Sequence, residues 1–400
     1  MKFRVFVALA SLVLSAAILL LLPAASSTPP NPTAPSGQLP GPPDRTTAAP
    51  VPGVVRVYSC DPEQLAVLDT LAAQYADLTG AQVVVLGAQE DGCEASLSRL
   101  MAGEETPAML CVHSQAQLQT WQESLFDLRG TALAAELVNS NFGLYAEDKL
   151  LGIAVDLQAF GLLMNAELLA TKAALSRDDL VSLSALTTAA QILKSNSTKA
   201  FPCTTLDTDD LLQLACTDNT ADLQKFLCLY NANSLTAGTP IDQFLDGKCV
   251  FYLGSSRDFV FLNDEAERVL QARNVDILPT YTAGALQYTF SSVWCVNGNV
   301  SQEDLDATLQ FMTWMVTAGE DGIAPVDSLQ MLTPFRAAGW YGTSLEKKLL
   351  SYMRKEPALV QWTLQGKQYS ALAMALQQYV IKPSFEDWNN VIAYLAQLKV

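Results

Sequence analysis

The stretch Val54–Val112, VVRVYSCDPEQLAVLDTLAAQYADLTGAQVVVLGAQEDGCEASLSRLMAGEETPAMLCV, decides the fold. Val54–Ser59 is a short apolar strand signal. Pro62 then opens a helix, at a position where its missing N–H costs no hydrogen bond. Leu65, Leu68, Leu71, Ala72, Tyr75 and Leu78 follow at helical spacing. Gly80 falls where helices commonly close in a left-handed turn. Gln82–Leu86 is a valine-rich strand. Cys93–Ala102 puts Leu97 and Leu100 on one helical face and stops before Gly103. Ala108–Val112 is a third strand and Gln115–Ser124 a third helix. Strand and helix alternating in this way predict right-handed crossovers and a mainly parallel sheet flanked by helices, an α/β fold. Ligands of such sheets bind outside the carboxyl ends of the strands. Those ends carry Cys60-Asp61 and His113-Ser114-Gln115.

Upstream, Lys2 and Arg4 precede the apolar run Val5–Leu22, which Pro23-Ala24-Ala25-Ser26 closes. Residues 1–27 read as an export signal, and 28–53, rich in Pro, Thr, Ala and Ser, as a semi-extended tether. Ala24 and Ser26 are spaced for cleavage, while the run also approaches the roughly 18 apolar residues that can span a bilayer. Cleavage and retention as a membrane anchor both fit. Either way the body is expected to fold outside the cytoplasm, secreted or tethered to the cell surface.

That body is too long for one typical core, so two lobes are expected. Net charge is −17, a sign that repels phosphates and excludes a nucleic-acid binder. With one histidine and no C-x-x-C pair among eight cysteines, neither a zinc site nor another cofactor is expected. An exported chain permits disulfides. Cys216 with Cys228, which flank a short helix-turn segment, and Cys60 with Cys93, beside neighbouring strands, are candidate pairs. Cys111 and Cys295 lie in apolar runs and read as small core residues.

Downstream, Leu151–Val155 and Phe160–Met164 read as two strands, and Asp178–Lys194 as a helix broken near its start. Ala200–Thr204, Lys248–Leu253, Val275–Leu278 and Ser291–Val296 read as strands. Ser301–Val316 is an amphipathic helix capped by Ser301, with Asp304 at its third position. From Pro325 onward the chain reads as mostly helical.

The order of these pieces resembles the extracellular solute-binding proteins of family one, the maltose-binding-protein-like receptors of ABC importers. LAAQYADLTG (Leu71–Gly80) is similar to the family's first helix, and LSRLMAGEETPAMLCV (Leu97–Val112) to the turn and strand that follow. Trp121–Leu128 resembles the turn after the third helix. YAEDKLLGIAVDLQAFGLLMN (Tyr145–Asn165) resembles the block ending in Tyr-Asn, with Met164 in the tyrosine's place. FLDGKCVFYLG (Phe244–Gly254) and Leu278–Val296 with its helix resemble later blocks. The aspartate after the third strand and the tryptophan after Gly254 are missing.

The resemblance implies a two-lobe, periplasmic-binding-protein-like (type II) fold. A hinge of crossing strands lets the lobes close on a small solute, a carbohydrate first, which is handed to an ABC permease without chemistry. Lobe one would comprise 54–152 and 259–317, and lobe two 153–258 and 318–400.

Sugars need flat aromatic platforms and side chains that both donate and accept hydrogen bonds. Strand ends and family position offer His113, Gln115, Asp156 and Gln158, with loop-surface roles as the alternative. Ser255 and Arg257 sit where the family carries a tryptophan-bearing loop. Trp294 is a stacking or core residue, and Trp340 and Tyr341 could present aromatics to a cleft. Trp121, Trp314, Trp362 and Trp388 fall at helical spacings and read as core or surface residues. A second reading keeps the fold and makes the cleft a sensor reporting to a membrane partner. A hydrolase is disfavoured, because no G-x-S-x-G occurs and the paired carboxylates Asp209-Asp210 and Glu104-Glu105 are adjacent in sequence.

Overall fold

Hydrophobic pattern and capping chemistry set the first elements. The computed structural model describes residues 53–398 apart from 91, 202–207, 216–218, 234–239, 257, 259–267, 270, 272, 320–321, 330–331, 338–343, 356 and 363–366. β1 (Val54–Ser59) leads into α1 (Pro62–Thr79), β2 (Gln82–Gly87), α2 (Cys93–Met101), β3 (Met109–Val112) and α3 (Gln115–Trp121). The Asp61 carboxylate caps α1 by accepting from the Glu63 N–H, and Gly80 ends it with φ 72°. Ser114 caps α3 through the Gln117 N–H. The signal at 1–27 and nearly all of the tether lie outside the described residues. Among those described, no helix is long and apolar enough to cross a membrane.

The chain continues through α4 (Ala132–Ala135), β4 (Gly143–Ala146), β5 (Lys149–Asn165), α5 (Ala166–Ala173), α6 (Leu183–Ser195), α7 (Thr208–Leu214), α8 (Thr220–Asn233) and α9 (Pro240–Leu245). Then come β6 (Phe251–Ser255), β7 (Val275–Leu278), β8 (Leu286–Val296), α10 (Gln302–Val316), α11 (Ser344–Lys355), β9 (Ala358–Trp362), α12 (Lys367–Ile381) and α13 (Phe385–Leu398). Ser301 caps α10 through the Asp304 N–H.

Three differences from the sequence reading matter. The two strands expected at Leu151–Val155 and Phe160–Met164 are one strand, β5, because Leu157, Gln158 and Ala159 keep their pairing with β8. β8 starts at Leu286 rather than Ser291. β9 interrupts the C-terminal helices and pairs in parallel with the first half of β8.

The sheet is mixed. β1 runs parallel to β2 and β3, as the alternation of strands and helices predicts. β8 is antiparallel to β3 and β5, and the second half of β5 is antiparallel to β6 and β7. Two hydrophobic cores result, and the fold is two-lobed. One gathers Val57, Leu71, Leu110, Ile153, Trp294 and Phe311. The other gathers Leu162, Leu186, Phe226, Phe251, Leu376 and Val391. β5 supplies both, with Leu150–Val155 in the first core and Phe160, Leu162 and Met164 in the second. The C-terminal segment is divided as well: Phe335 and Leu345–Met353 pack in the first core, whereas α12 and α13 pack in the second. Residues 318–400 therefore do not fall wholly on one side.

Candidate functional site

Side chains alternate across a strand, and residues directly paired on adjacent strands share a face. Where β5 passes from one core to the other, this alternation separates two surfaces. Gln158 pairs across from Thr289, Phe160 from Gln287 and Ser255, and Thr289 also from Gln361 of β9, while Asp156, between the paired Val155 and Leu157, is met by the Ser291 hydroxyl. One face of the crossing strands is thus a polar floor. The other carries Leu157, Ala159, Tyr288 and Phe290, all buried in the first core.

Some of the floor's hydrogen-bonding capacity is unused. Thr289 is 1% exposed and Gln213, at the end of α7, is 4% exposed. Neither the Thr289 Oγ1 nor the Gln213 Oε1 has a partner among the described residues, and the same holds for the Gln361 Nε2. Buried polar atoms are normally satisfied, so these are groups available to a ligand or to water. Gln287 Nε2 donates to the Gln213 carbonyl at 3.3 Å and ties α7 to the floor.

His113 closes one end of the floor. It follows β3, is hydrogen-bonded to the Ser291 backbone and lies within electrostatic reach of Asp61 and Asp156. Burial lowers its pKa below the ordinary imidazole value, against the pull of both carboxylates. The Ser291 hydroxyl donates to Asp156. Asp156 itself has φ 53°, an uncommon backbone state for a non-glycine residue, between Val155 and Leu157, which both pack in the first core. Cys60, next to Asp61, is joined to Cys93 across a Cα–Cα distance of 5.6 Å. The Tyr58 hydroxyl donates to the Cys93 carbonyl at 2.7 Å.

The structure divides the residues singled out from sequence. His113, Asp156 and Gln158 come together, and Ser255 is buried beside Phe160 with its N–H donating to Asp258 at 2.9 Å. Gln115 lines a cavity of about 330 Å³ together with Asn141, Phe290, Trp362 and Gln361 of the floor. Trp294 is a correction. It is 1% exposed and packs on Phe335 with ring centroids 6.0 Å apart, so its bulk fills the first core rather than facing a ligand. Arg257, Trp340 and Tyr341 lie outside the described residues, as does Cys216. Cys228 is a free thiol hydrogen-bonded with the Tyr379 hydroxyl, and its candidate pairing with Cys216 lies outside the described residues. Cys111 and Cys295 are buried core thiols.

Sequence reading missed Gln287, Thr289 and Ser291 as floor residues. The signal was present, because LQYTFS (Leu286–Ser291) alternates apolar and polar side chains without a break. Trp362 had no such signal.

Residues 70–338 match the family model described as bacterial extracellular solute-binding protein, and the chain belongs to that family. Among solved structures it is similar to an extracellular solute-binding protein of family 1 from Alicyclobacillus acidocaldarius, with 15% identity, TM-score 0.64, and 88% of this chain and 98% of that one covered. It is similar to a family 1 protein from Bifidobacterium longum subsp. infantis, with 13% identity, TM-score 0.60 and coverage of 88% and 100%. A third is the bacterial solute receptor AcbH, which has an exclusive preference for β-D-galactopyranose, with 13% identity, TM-score 0.63 and coverage of 87% and 99%. At such identities the likeness is one of fold. No curated protein matches the sequence.

Proposed function

We propose that the chain is an extracytoplasmic receptor that holds a carbohydrate over the polar floor and delivers it to an ABC importer permease, without turnover. The observation that carries this reading is the run of uncharged amides and hydroxyls, Gln158, Gln287, Thr289 and Gln361, on strands that pass between two cores. An uncharged ligand with many hydroxyls needs neutral groups that donate and accept, and it is best held where two lobes can exclude water from it. Sugar-binding neighbours support the class: AcbH binds β-D-galactopyranose, and the solute-binding protein RafE is seen with raffinose.

In this reading one lobe is built on 54–152 and 259–317 together with the Leu345–Met353 helix. The other is built chiefly on 160–258 with α12 and α13. His113 and Asp156 stand at the first lobe's side of the floor, and Ser255 at the second's. Residues 1–27 and 28–53 would keep the receptor near its permease if the signal is retained. The test is calorimetric titration of the purified protein with mono- and oligosaccharides, amino acids and polyamines. Saturable binding of a saccharide, lost in Gln158→Leu and Thr289→Val with no product formed, supports the reading. Binding confined to charged solutes, or turnover of any ligand, overturns it.

A further inference from the structure

We propose that solute capture is proton-gated: the end of the floor closes over a neutral His113, and a proton on that imidazole favours opening and releases the solute. The gate rests on the receptor reading above and adds a control to it.

The surroundings of the ring carry the argument. The His113 backbone N–H donates to the Gln117 Oε1 of α3 at 3.0 Å, which fixes the residue at the end of β3. The ring bonds the Ser291 backbone in the sense that favours the cation, so a ring N–H donates to that carbonyl. The Nε2 is shut off from water and has no partner among the described residues. The donor to Ser291 is therefore Nδ1, and in the neutral ring Nε2 carries only a lone pair. An imidazolium has two donors and needs a second acceptor. An unpaired acceptor costs little beside an unpaired cationic N–H in the same place.

Two charged groups face the ring, Asp61 from the loop before α1 and Asp156 from β5. α3 and β8 bring only the neutral Gln117 and Ser291 to it. Both carboxylates favour the cation through space, yet neither bonds Nε2. Asp61 accepts from the Glu63 N–H at 2.9 Å, and Asp156 accepts from the Ser291 hydroxyl. Ser291 is thus held from both sides, by the ring at its carbonyl and by Asp156 at its hydroxyl, so a change at the ring is felt where β5 and β8 carry the floor. Separating the lobes is what brings water, and with it an acceptor, to Nε2. A proton then favours the open arrangement and a solute the closed one. By linkage the proton weakens solute binding, and the solute expels the proton.

The test uses the whole protein without a histidine tag, so that His113 is the one histidine. D-galactose, raffinose and maltose are titrated calorimetrically from pH 7.5 to pH 5, and the ring nitrogens are followed by ¹⁵N NMR. The free protein should show the Nδ1–H tautomer at pH 7.5. The affinity of the saccharide that binds should be constant above about pH 6.5 and at least about tenfold weaker by pH 5, the effect of one pKa unit of depression on binding. In that window the binding enthalpy should vary with the ionisation enthalpy of the buffer, because a proton leaves the ring. His113→Gln, which does not titrate, should flatten the affinity profile. Asp156→Asn, which removes one carboxylate that favours the cation, should move the decline to lower pH. An Nε2–H tautomer in the free protein, equal affinity at pH 7.5 and pH 5, or a decline that survives in His113→Gln overturns the gate and leaves the receptor reading intact. If none of the saccharides binds at any pH, the receptor reading has failed and the gate falls with it.

Discussion

His113 is the chain's one histidine, which makes its protonation readable in the whole molecule. An unfolded chain takes up that proton near pH 6.5. In the folded protein, burial holds the pKa lower, although Asp61 and Asp156 favour the cation. Between those two values the unfolded state binds a proton that the native state does not, so stability falls as pH drops through the ordinary histidine range. The fall ends below the folded pKa. Urea midpoints measured from pH 7.5 to 5.5 should therefore decline, and His113→Gln should flatten the decline; an unchanged slope in the variant would place the effect elsewhere. The thiols offer a second check at this scale. Burial pushes Cys111 and Cys249 up to about 12, and Cys295 higher still, whereas Cys228 is exposed. Thiolate is the reactive form, so alkylation of the native protein followed by peptide mass spectrometry should mark Cys228 and spare Cys111, Cys249 and Cys295 until the protein unfolds.

β5 is the element on which the architecture turns, and Gly161 shows how tightly it is held. At that point the strand lies between β6 and β7, and an added Cβ would run into the Leu278 carbonyl, a backbone atom with little room to move. Gly161→Ala should cost about 1–3 kcal/mol, read as a lowered denaturation midpoint with unchanged slope; a neutral result would mean that β7 is free to shift. The same strand shows where sequence reading succeeds and where it stops. β1 to α3 were legible because each apolar stripe has one period and one cap, from Asp61 and Gly80 to Ser114. β5 was read as two strands because Asp156 and Gln158 interrupt an apolar run. Those polar residues occupy one face of a strand that continues to pair, and only the pairing with β8 reveals it. His113, Asp156 and Gln158 were found from strand ends and family position. Gln287 and Thr289 were hidden because β8 was started too late. β9 is five residues long, without alternation, in a segment otherwise helical, and its strand state comes from the neighbouring edge of β8 rather than from its own residues.

At the scale of the molecule, the two cores are joined by long strands, and the unpartnered polar atoms lie on the join. A solute that satisfies the Thr289 hydroxyl and the Gln361 amide while touching groups from both sides would bind only the folded, assembled arrangement. Mass action then raises stability by about 2.7 kcal/mol at a hundredfold excess over the dissociation constant. The same solute should draw the lobes together, because its differential contacts exist only when both reach it. Two measurements with a bound saccharide check this: the melting temperature should rise with the logarithm of its concentration, and the radius of gyration from X-ray scattering should fall. Thr289→Val removes one floor hydroxyl while keeping the side chain's shape, so it should reduce both responses together. A variant that lost the compaction but kept the thermal shift would show that the ligand is held by one lobe alone, and closure would then have to be driven by contacts away from the floor.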